Sequence, residues 1–258
     1  MIKRDRYLNK LIDSMWDGQI KVIVGLRRSG KSTLLFDLFK DYLLNQGVSN
    51  DEILKYELDQ RKYYKYRNPI ILCDEVEKIV TESDKKYYLF IDEIQFSQKV
   101  IDKEAGNIEV TVYDMLNELK SYSNLDVYVI RSNSKMLSKD IATEFRGRST
   151  NIMVYPLSFS EYFECVGGDW RDALDQYMVF GGMPAIVGKK NDQQKIEYLD
   201  ELYQKVYIAD LIERNRFDRE DIMNDLLDYI SSSISSLTNT TNIANSLTSL
   251  KKEKIYKS

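Results

Sequence analysis

The chain has 258 residues, with 37 Lys and Arg against 41 Asp and Glu for a net charge of −4, two cysteines and no histidine. That length builds one large domain, or one with an appendage, and the small charge leaves any nucleic-acid binding to a local patch. The missing imidazole excludes Ser-His-Asp and Cys-His catalysis and His-ligated zinc, leaving carboxylates, Lys, Arg, Ser/Thr and a bound ion, the groups phosphoryl transfer uses.

Cys73 and Cys165 stand far apart, as two isolated thiols of a reducing cytoplasm would. The N-terminus lacks the apolar stretch of a signal peptide, and no stretch approaches the ~20 apolar residues of a membrane span. The expectation is a cytoplasmic chain with no membrane partner.

Residues 5–16 place Tyr7, Leu8, Leu11, Ile12 and Met15 at helical spacing, with Gly18 beyond. Ile20 to Val24 is a β-branched run. Lys31 to Leu44 predicts a helix stopped by Gly47, residues 54–58 a strand, and Pro69 to Val80 a helix. Tyr87 to Ile91 is apolar throughout and too short for a helix, which suits a central parallel strand buried on both faces. Asn107 to Tyr122 predicts a helix, followed by strands at 126–130 and 152–154. From Ser158 onward the pattern is helical. The reading is an α/β fold, a parallel sheet flanked by helices over residues 1–157, then a helical lid over 158–230. Residues 231–258 are read as an incomplete or loose end, because Ser231 to Leu250 is rich in Ser, Thr and Asn.

Gly25-Leu26-Arg27-Arg28-Ser29-Gly30-Lys31-Ser32 fits G-x-x-x-x-G-K-[ST] between a predicted strand and a predicted helix. Such a loop cradles a triphosphate because its glycines turn backbone N–H groups toward the anion, and the helix that follows points its positive end the same way. Lys31 is the residue for the β and γ phosphates, Ser32 for Mg²⁺, and Gly25, Arg27, Arg28, Ser29, Gly30 and Thr33 complete the cradle. The Tyr87–Ile91 strand delivers Asp92 and Glu93 at its C-terminal edge, where an open α/β sheet places its ligand. Asp92 is the candidate metal ligand and Glu93 the candidate for positioning the attacking water. Two acids there could equally be favoured by a helix N-terminus.

Past the strand at 126–130, Ser132 or Asn133 either senses the γ-phosphate or caps a helix. Arg146 and Arg148 are either finger candidates or a surface pair beside Glu144.

Six segments together resemble a prokaryotic family of AAA-type ATPases that carry a winged helix and a nuclease-like domain behind the ATPase core. They are Val24–Thr33, Phe90-Ile-Asp-Glu-Ile-Gln95, Ser132–Ser138, Phe145-Arg-Gly-Arg148, Tyr155-Pro-Leu-Ser-Phe-Ser-Glu161 and Phe180-Gly-Gly-Met-Pro184. The resemblance implies a P-loop sheet in 5-1-4-3-2 order with a helical lid, and ATP with Mg²⁺ as ligands. It carries the phosphate loop onto Gly25–Thr33, the acids onto Asp92 and Glu93, and the sensor onto Ser132-Asn133. It leaves a homo-oligomer as an expectation, and a nucleic acid or protein partner reached through the C-terminal part the family has and this chain lacks. Thr238 to Leu250 resembles the first helix of the winged module. Relatives read Thr-Gly-Ser-Asn where this chain has Ile130-Arg131-Ser132-Asn133, which puts Arg131 beside the expected γ-phosphate position.

Arg61-Lys-Tyr-Tyr-Lys-Tyr-Arg67 reads first as a solvated loop whose tyrosines pack on the sheet edge, and second as a composition that single-stranded nucleic acid can use. Gly181-Gly182 with Pro184 reads as a helix stop, a turn and a hinge candidate. Asp210, Glu213 and Arg214 read as a charged helix face. No N-K-x-D guanine box is present. The leading expectation is a Mg²⁺-dependent ATPase. The alternative is an ATP-gated interaction or DNA-associated switch with little turnover.

Overall fold

Ile20–Val24 (β1) and Tyr87–Asp92 (β3) are buried at every position, because helices cover both faces of the sheet they occupy. With Ile53–Glu57 (β2), Leu125–Arg131 (β6) and Ser149–Met153 (β7) they form a five-stranded parallel sheet in the order β2-β3-β6-β1-β7. Counted from the β7 edge with the five numbered along the chain, this is the 5-1-4-3-2 order. The computed structural model describes residues 2–131, 149–208 and 220–251. The chain divides into two units, Met1–Lys189 and Lys190–Ser258.

In the first unit, alternation along the strands sends Val22, Val24, Leu89, Ile91, Val127 and Val129 to one face. There they meet Leu72, Cys73, Val76 and Val80 of the Pro69–Thr81 helix and Met115, Leu116 and Leu119 of the Val112–Leu119 helix. The other face sends Ile23, Phe90, Tyr128 and Ile130 against Tyr7 and Leu11 of the Asp5–Asp13 helix and Leu34, Leu35, Phe39 and Leu43 of the helix after β1. That helix runs Lys31–Thr33, Leu34–Phe39 and Lys40–Asn45, its middle stretch in π geometry. Phe39 of that helix packs ring to ring with Phe90 and Tyr128 of the sheet, with the three centroids 4.9–5.8 Å apart.

One expected helix start is corrected. Residues 107–111 are not helical: Ile108–Val110 (β5) pairs antiparallel with Val100–Asp102 (β4), and the helix begins only at Val112. Gly106 (φ +88°) and Asn107 (φ +65°) take the left-handed conformations a hairpin turn needs. Thr111 then caps the helix, with its N–H and hydroxyl both donating to Asp114 at 2.8 and 2.6 Å. Similarly, the first helix ends at Asp13, and the last strand runs Ser149–Met153 rather than 152–154.

A charged cluster is buried at the N-terminal end of the strands. Lys21 is fully inaccessible, and its Nζ lies 2.5 Å from Asp126 Oδ1 and 2.8 Å from Asp17 Oδ1. Asp126 Oδ2 accepts from the Tyr128 hydroxyl and the Trp16 N–H at 2.7 and 3.0 Å. Removing Asp126 leaves buried Lys21 with only the partly exposed Asp17 as counter-charge and takes the acceptor from the Tyr128 hydroxyl and the Trp16 N–H, so Asp126→Ala is expected to cost about 3–5 kcal/mol. Urea unfolding measures the cost. Replacing both Lys21 and Asp126 by apolar residues of similar size should recover most of it. Burial and the charge of Glu118 push the Cys73 thiol up to about 12. Since the thiolate is the reacting form, a disulfide reagent at pH 8 is expected to label Cys73 only as the chain unfolds.

Helices Phe159–Val166 and Trp170–Phe180 complete the first unit and carry the chain to Pro184–Gly188. The second unit holds Asp192–Leu202, capped by Asn191, whose side chain accepts from the Gln194 N–H at 2.9 Å. It also holds Glu220–Ser232 packed against Thr240–Lys251. Asp210, Glu213 and Arg214 lie outside the described residues. No helix among those described is long and apolar enough to cross a membrane.

Candidate functional site

The chain leaves β1 through a loop that only its glycines permit. Gly25 has φ +155° and Gly30 φ +93°, and Arg28 between them is left-handed at +63°. A Cβ on Gly25 would sit 2.1 Å from the Val154 carbonyl oxygen, so the loop leaves the sheet pressed against the end of the neighbouring strand. Arg27, Arg28, Ser32 and Thr33 face outward and Ser29 and Lys31 inward.

Lys31 folds back under the loop. Its Nζ donates to the Gly25 and Leu26 carbonyls at 3.1 and 2.8 Å, and burial lowers its pKa against the opposing pull of Glu93 and Asp92. Ser32 Oγ donates to Asp92 Oδ2 at 2.7 Å, joining residues 60 positions apart. The β1 loop and the β3 end meet there because β6 alone separates the two strands in the sheet. Burial pushes the Asp92 carboxyl up to about 6, with the Ser32 hydrogen bond opposing and the Glu93 charge assisting. Glu93 follows in the left-handed region at φ +52°, an unfavourable conformation for a side chain with a Cβ. Its N–H donates to Asp92 Oδ1 at 2.8 Å, and the Gln95 amide donates to its Oε2.

Ser29 Oγ is buried without a hydrogen-bond partner, an orphaned polar atom inside the cradle. Among the described residues no three acidic or thiol side chains converge into a metal cage. A hydroxyl and a single carboxylate are instead the sparse oxygen set with which Mg²⁺ is held beside phosphates, so the residues present fit that ion.

Two further groups hold the loop, and the sequence did not single them out for it. Arg4 is buried: Nη1 donates to the Ser29 carbonyl at 3.4 Å, Nη2 to the Tyr155 carbonyl at 2.6 Å, and Nε lies 3.1 Å from Glu161 Oε1. One guanidinium thus joins the loop, the corner after β7 and the Phe159–Val166 helix. Pro184 is the second. Its Cγ is 3.8 Å from where a Gly30 Cβ would be, so the segment read as a hinge lies over the loop. It is held there by Gly182, whose carbonyl accepts from Leu157 N–H at 2.6 Å and whose Cβ position lies 2.1 Å from the Leu157 oxygen.

Arg131 pairs in register with Val24, immediately before the loop. Its Nη1 donates to the Tyr113 hydroxyl at 3.3 Å, and it lines a cavity of about 310 Å³ with Gln95, Thr111, Tyr113 and Val129. Ser132, Asn133, Arg146 and Arg148 lie outside the described residues.

A family model described as "AAA domain" matches residues 17–163, more than half of the chain. The chain belongs to this AAA domain family. A second model, a domain of unknown function (DUF8612), matches residues 171–256. Neither match is described as a winged helix or a nuclease-like domain. An uncharacterized protein of Haemophilus influenzae is 30% identical over 257 residues, covering 96% of this chain and 60% of its own length. The uncharacterized protein MJ1544 of Methanocaldococcus jannaschii is 25% identical, covering 98% of this chain and 57% of its own. The AAA domain chain therefore spans about 60% of the length of these relatives. Among solved structures, the Walker-type ATPase PABY2304 of Pyrococcus abyssi aligns over 99% of this chain and 86% of its own with a TM-score of 0.61. At 16% identity it shares the fold of the AAA domain chain, a P-loop parallel sheet flanked by helices.

Proposed function

We propose that this AAA domain binds ATP with Mg²⁺ in the loop Gly25–Thr33 and hydrolyses it. The observation that carries the reading is the 2.7 Å contact between Ser32 and Asp92, with Lys31 under the loop and Glu93 next in the chain. Four groups from two distant segments meet at the C-terminal edge of the sheet, each of the type phosphoryl transfer requires. Ser32 and Asp92 would hold Mg²⁺, which supplies charge neutralisation on the β and γ oxygens. Lys31 exchanges two backbone carbonyls for phosphate oxygens, a charge-assisted bond that offsets its burial. Loop N–H groups and the helix that starts at Lys31 add positive potential. Glu93 orients the attacking water. Asn133 as γ-phosphate sensor, carried by the family resemblance, and Arg148 as the finger candidate beside Arg146 complete the set, and a finger supplied by a neighbouring copy would make the active form a homo-oligomer.

The test is phosphate release from ATP with and without Mg²⁺, across protein concentration. Glu93→Gln is expected to lower turnover about 10²–10⁴-fold, the range that positioned acid–base groups supply, with ATP binding retained. Equal release by wild type and variant, or release independent of Mg²⁺, contradicts the catalytic assignment.

One observation favours a second reading, an ATP-gated switch with little turnover. The Gln95 amide already donates to one carboxylate oxygen of Glu93, the group that would accept from water. On that reading ATP binds, wild-type release stays near background, and Gln95→Ala raises it.

A further inference from the structure

The segment Arg61–Arg67 is a 3-10 helix at the C-terminal end of β2, on the sheet edge. Its tyrosines divide into two groups. Tyr63 and Tyr66 turn inward onto Tyr56, with ring centroids 5.9 and 4.8 Å away, as the solvated-loop reading expects. Tyr64 does not; it is 50% exposed, and Phe96 from the segment after Glu93 is 40% exposed beside it. The guanidinium of Arg67 lies over both rings, 4.0 Å from the Tyr64 centroid and 4.9 Å from the Phe96 centroid.

The cation that joins the two rings is fixed in place. Arg67 Nε donates to the Leu58 carbonyl at 2.6 Å, and the Arg67 carbonyl accepts from Gln98 N–H at 2.7 Å and Ser97 Oγ at 3.3 Å. Around it stand the exposed cations Arg61, Lys62 and Lys65. Lys62 and Lys65 rest over Tyr63 and Tyr66 at 4.5 and 4.4 Å, and among the described residues none of the three is paired with a carboxylate. Nearby acids are engaged: Glu57 pairs with Lys55 at 3.1 Å and Glu75 accepts from the Tyr66 hydroxyl at 3.1 Å. Asp59 is the one acid among four cations between residues 59 and 67.

We propose that this surface binds single-stranded nucleic acid, with bases stacking on Tyr64 and Phe96 and phosphates meeting Arg61, Lys62 and Lys65. An acidic peptide would satisfy the cations but leave both ring faces idle. A duplex keeps its base faces stacked on one another, so only a single strand offers flat faces and phosphates together. The site is distinct from the phosphate loop, and its binding is read without ATP.

The test uses the 258-residue chain and fluorescein-labelled oligo(dT) and oligo(U), each about 16 nucleotides, by anisotropy at rising KCl. Both are expected to bind, and the two arms separate DNA from RNA as the tighter partner. Tyr64→Ala and Phe96→Ala should each weaken binding about tenfold, and Tyr64→Phe should restore it. Lys62→Ala with Lys65→Ala should reduce the slope of log affinity against log salt by about 1.4, or about 0.7 per lost phosphate contact. Circular dichroism and unchanged thermal midpoints confirm that the variants are folded. Absence of binding at low salt overturns the proposal. So does wild-type affinity in folded Tyr64→Ala and in the lysine pair, or a duplex of equal length bound as tightly as the single strand.

Discussion

Lys31→Ala is expected to weaken ATP binding by about a hundredfold, while the unliganded chain remains as stable as wild type or more so. The two effects have opposite signs because the ammonium is buried with two backbone carbonyls, of Gly25 and Leu26, as its hydrogen-bond partners, and burial lowers its pKa against the pull of Glu93 and Asp92. Without nucleotide the charge is a cost to the fold, and its removal relieves that cost. With nucleotide the same charge meets phosphate oxygens in a site screened from water. Losing a charge-assisted bond there costs about 3 kcal/mol, which corresponds to about a hundredfold in affinity. Displacement of a fluorescent ATP analogue measures the first effect, and thermal unfolding without ligand the second. For wild type, ATP at 100 times its Kd should add about 2.7 kcal/mol of stability by mass action, and at the same ATP concentration the variant should keep only about 0.4 kcal/mol of that increment. A Lys31→Ala chain that is less stable without ligand and binds ATP normally would make Lys31 a structural residue.

Gly25→Ala is expected to cost about 3–5 kcal/mol, combining backbone strain with a steric clash that has no flexible partner. The new Cβ would be 2.1 Å from the Val154 oxygen and 3.1 Å from its carbon, both backbone atoms. Val154 cannot retreat freely, since its N–H donates to the Val24 carbonyl at 2.7 Å and ties the end of β7 to β1. Gly30→Ala is the internal comparison. Its nearest neighbour would be Pro184 Cγ at 3.8 Å, so only the left-handed conformation is penalised, at about 1–2 kcal/mol. Urea unfolding of the two variants should separate them, with Gly25→Ala the larger. The reverse order would mean that the loop relaxes away from β7 and that Pro184 is its tighter neighbour.

Much of the fold was legible because its signals are local. The β-branched run before Gly25, the apolar Tyr87–Ile91 strand and the helix-spaced Leu34, Leu35, Leu38 and Phe39 each declare a period within a few residues. The hairpin was not, because each of its strands is only three residues long and Ile108-Glu-Val continues into a genuine helix. Lys21 shows a second limit. Within β1 it reads as the one polar position, yet it is fully buried because Asp126, 105 residues later, is placed against it.

The candidate site divides in the same way. Gly25, Lys31, Ser32, Asp92 and Glu93 were legible because each sits in a motif whose spacing reflects its chemistry, and Ser32 and Asp92 meet at 2.7 Å. Arg4 and Pro184 were not read as supports of the loop, since Arg4 is one of several N-terminal cations and its partners are backbone carbonyls, which carry no sequence signal. Arg131, which the register sets beside Val24 just before the loop, donates to the Tyr113 hydroxyl at 3.3 Å, a pairing across 18 positions that no motif announces. Tyr64 and Phe96 lie too far apart in sequence to suggest a shared surface, and Arg67 joins them only in the fold.

The claim on which the proposed function rests is that the loop Gly25–Thr33 is an ATP site completed by Asp92. Calorimetric titration of the 258-residue chain with ATP, in the presence and absence of Mg²⁺, tests it most directly. Saturable binding of one ATP per chain, tighter with Mg²⁺ and with that Mg²⁺ advantage lost in Asp92→Asn, is the predicted result. Absence of saturable binding under both conditions, or binding whose Mg²⁺ dependence survives Asp92→Asn, contradicts it.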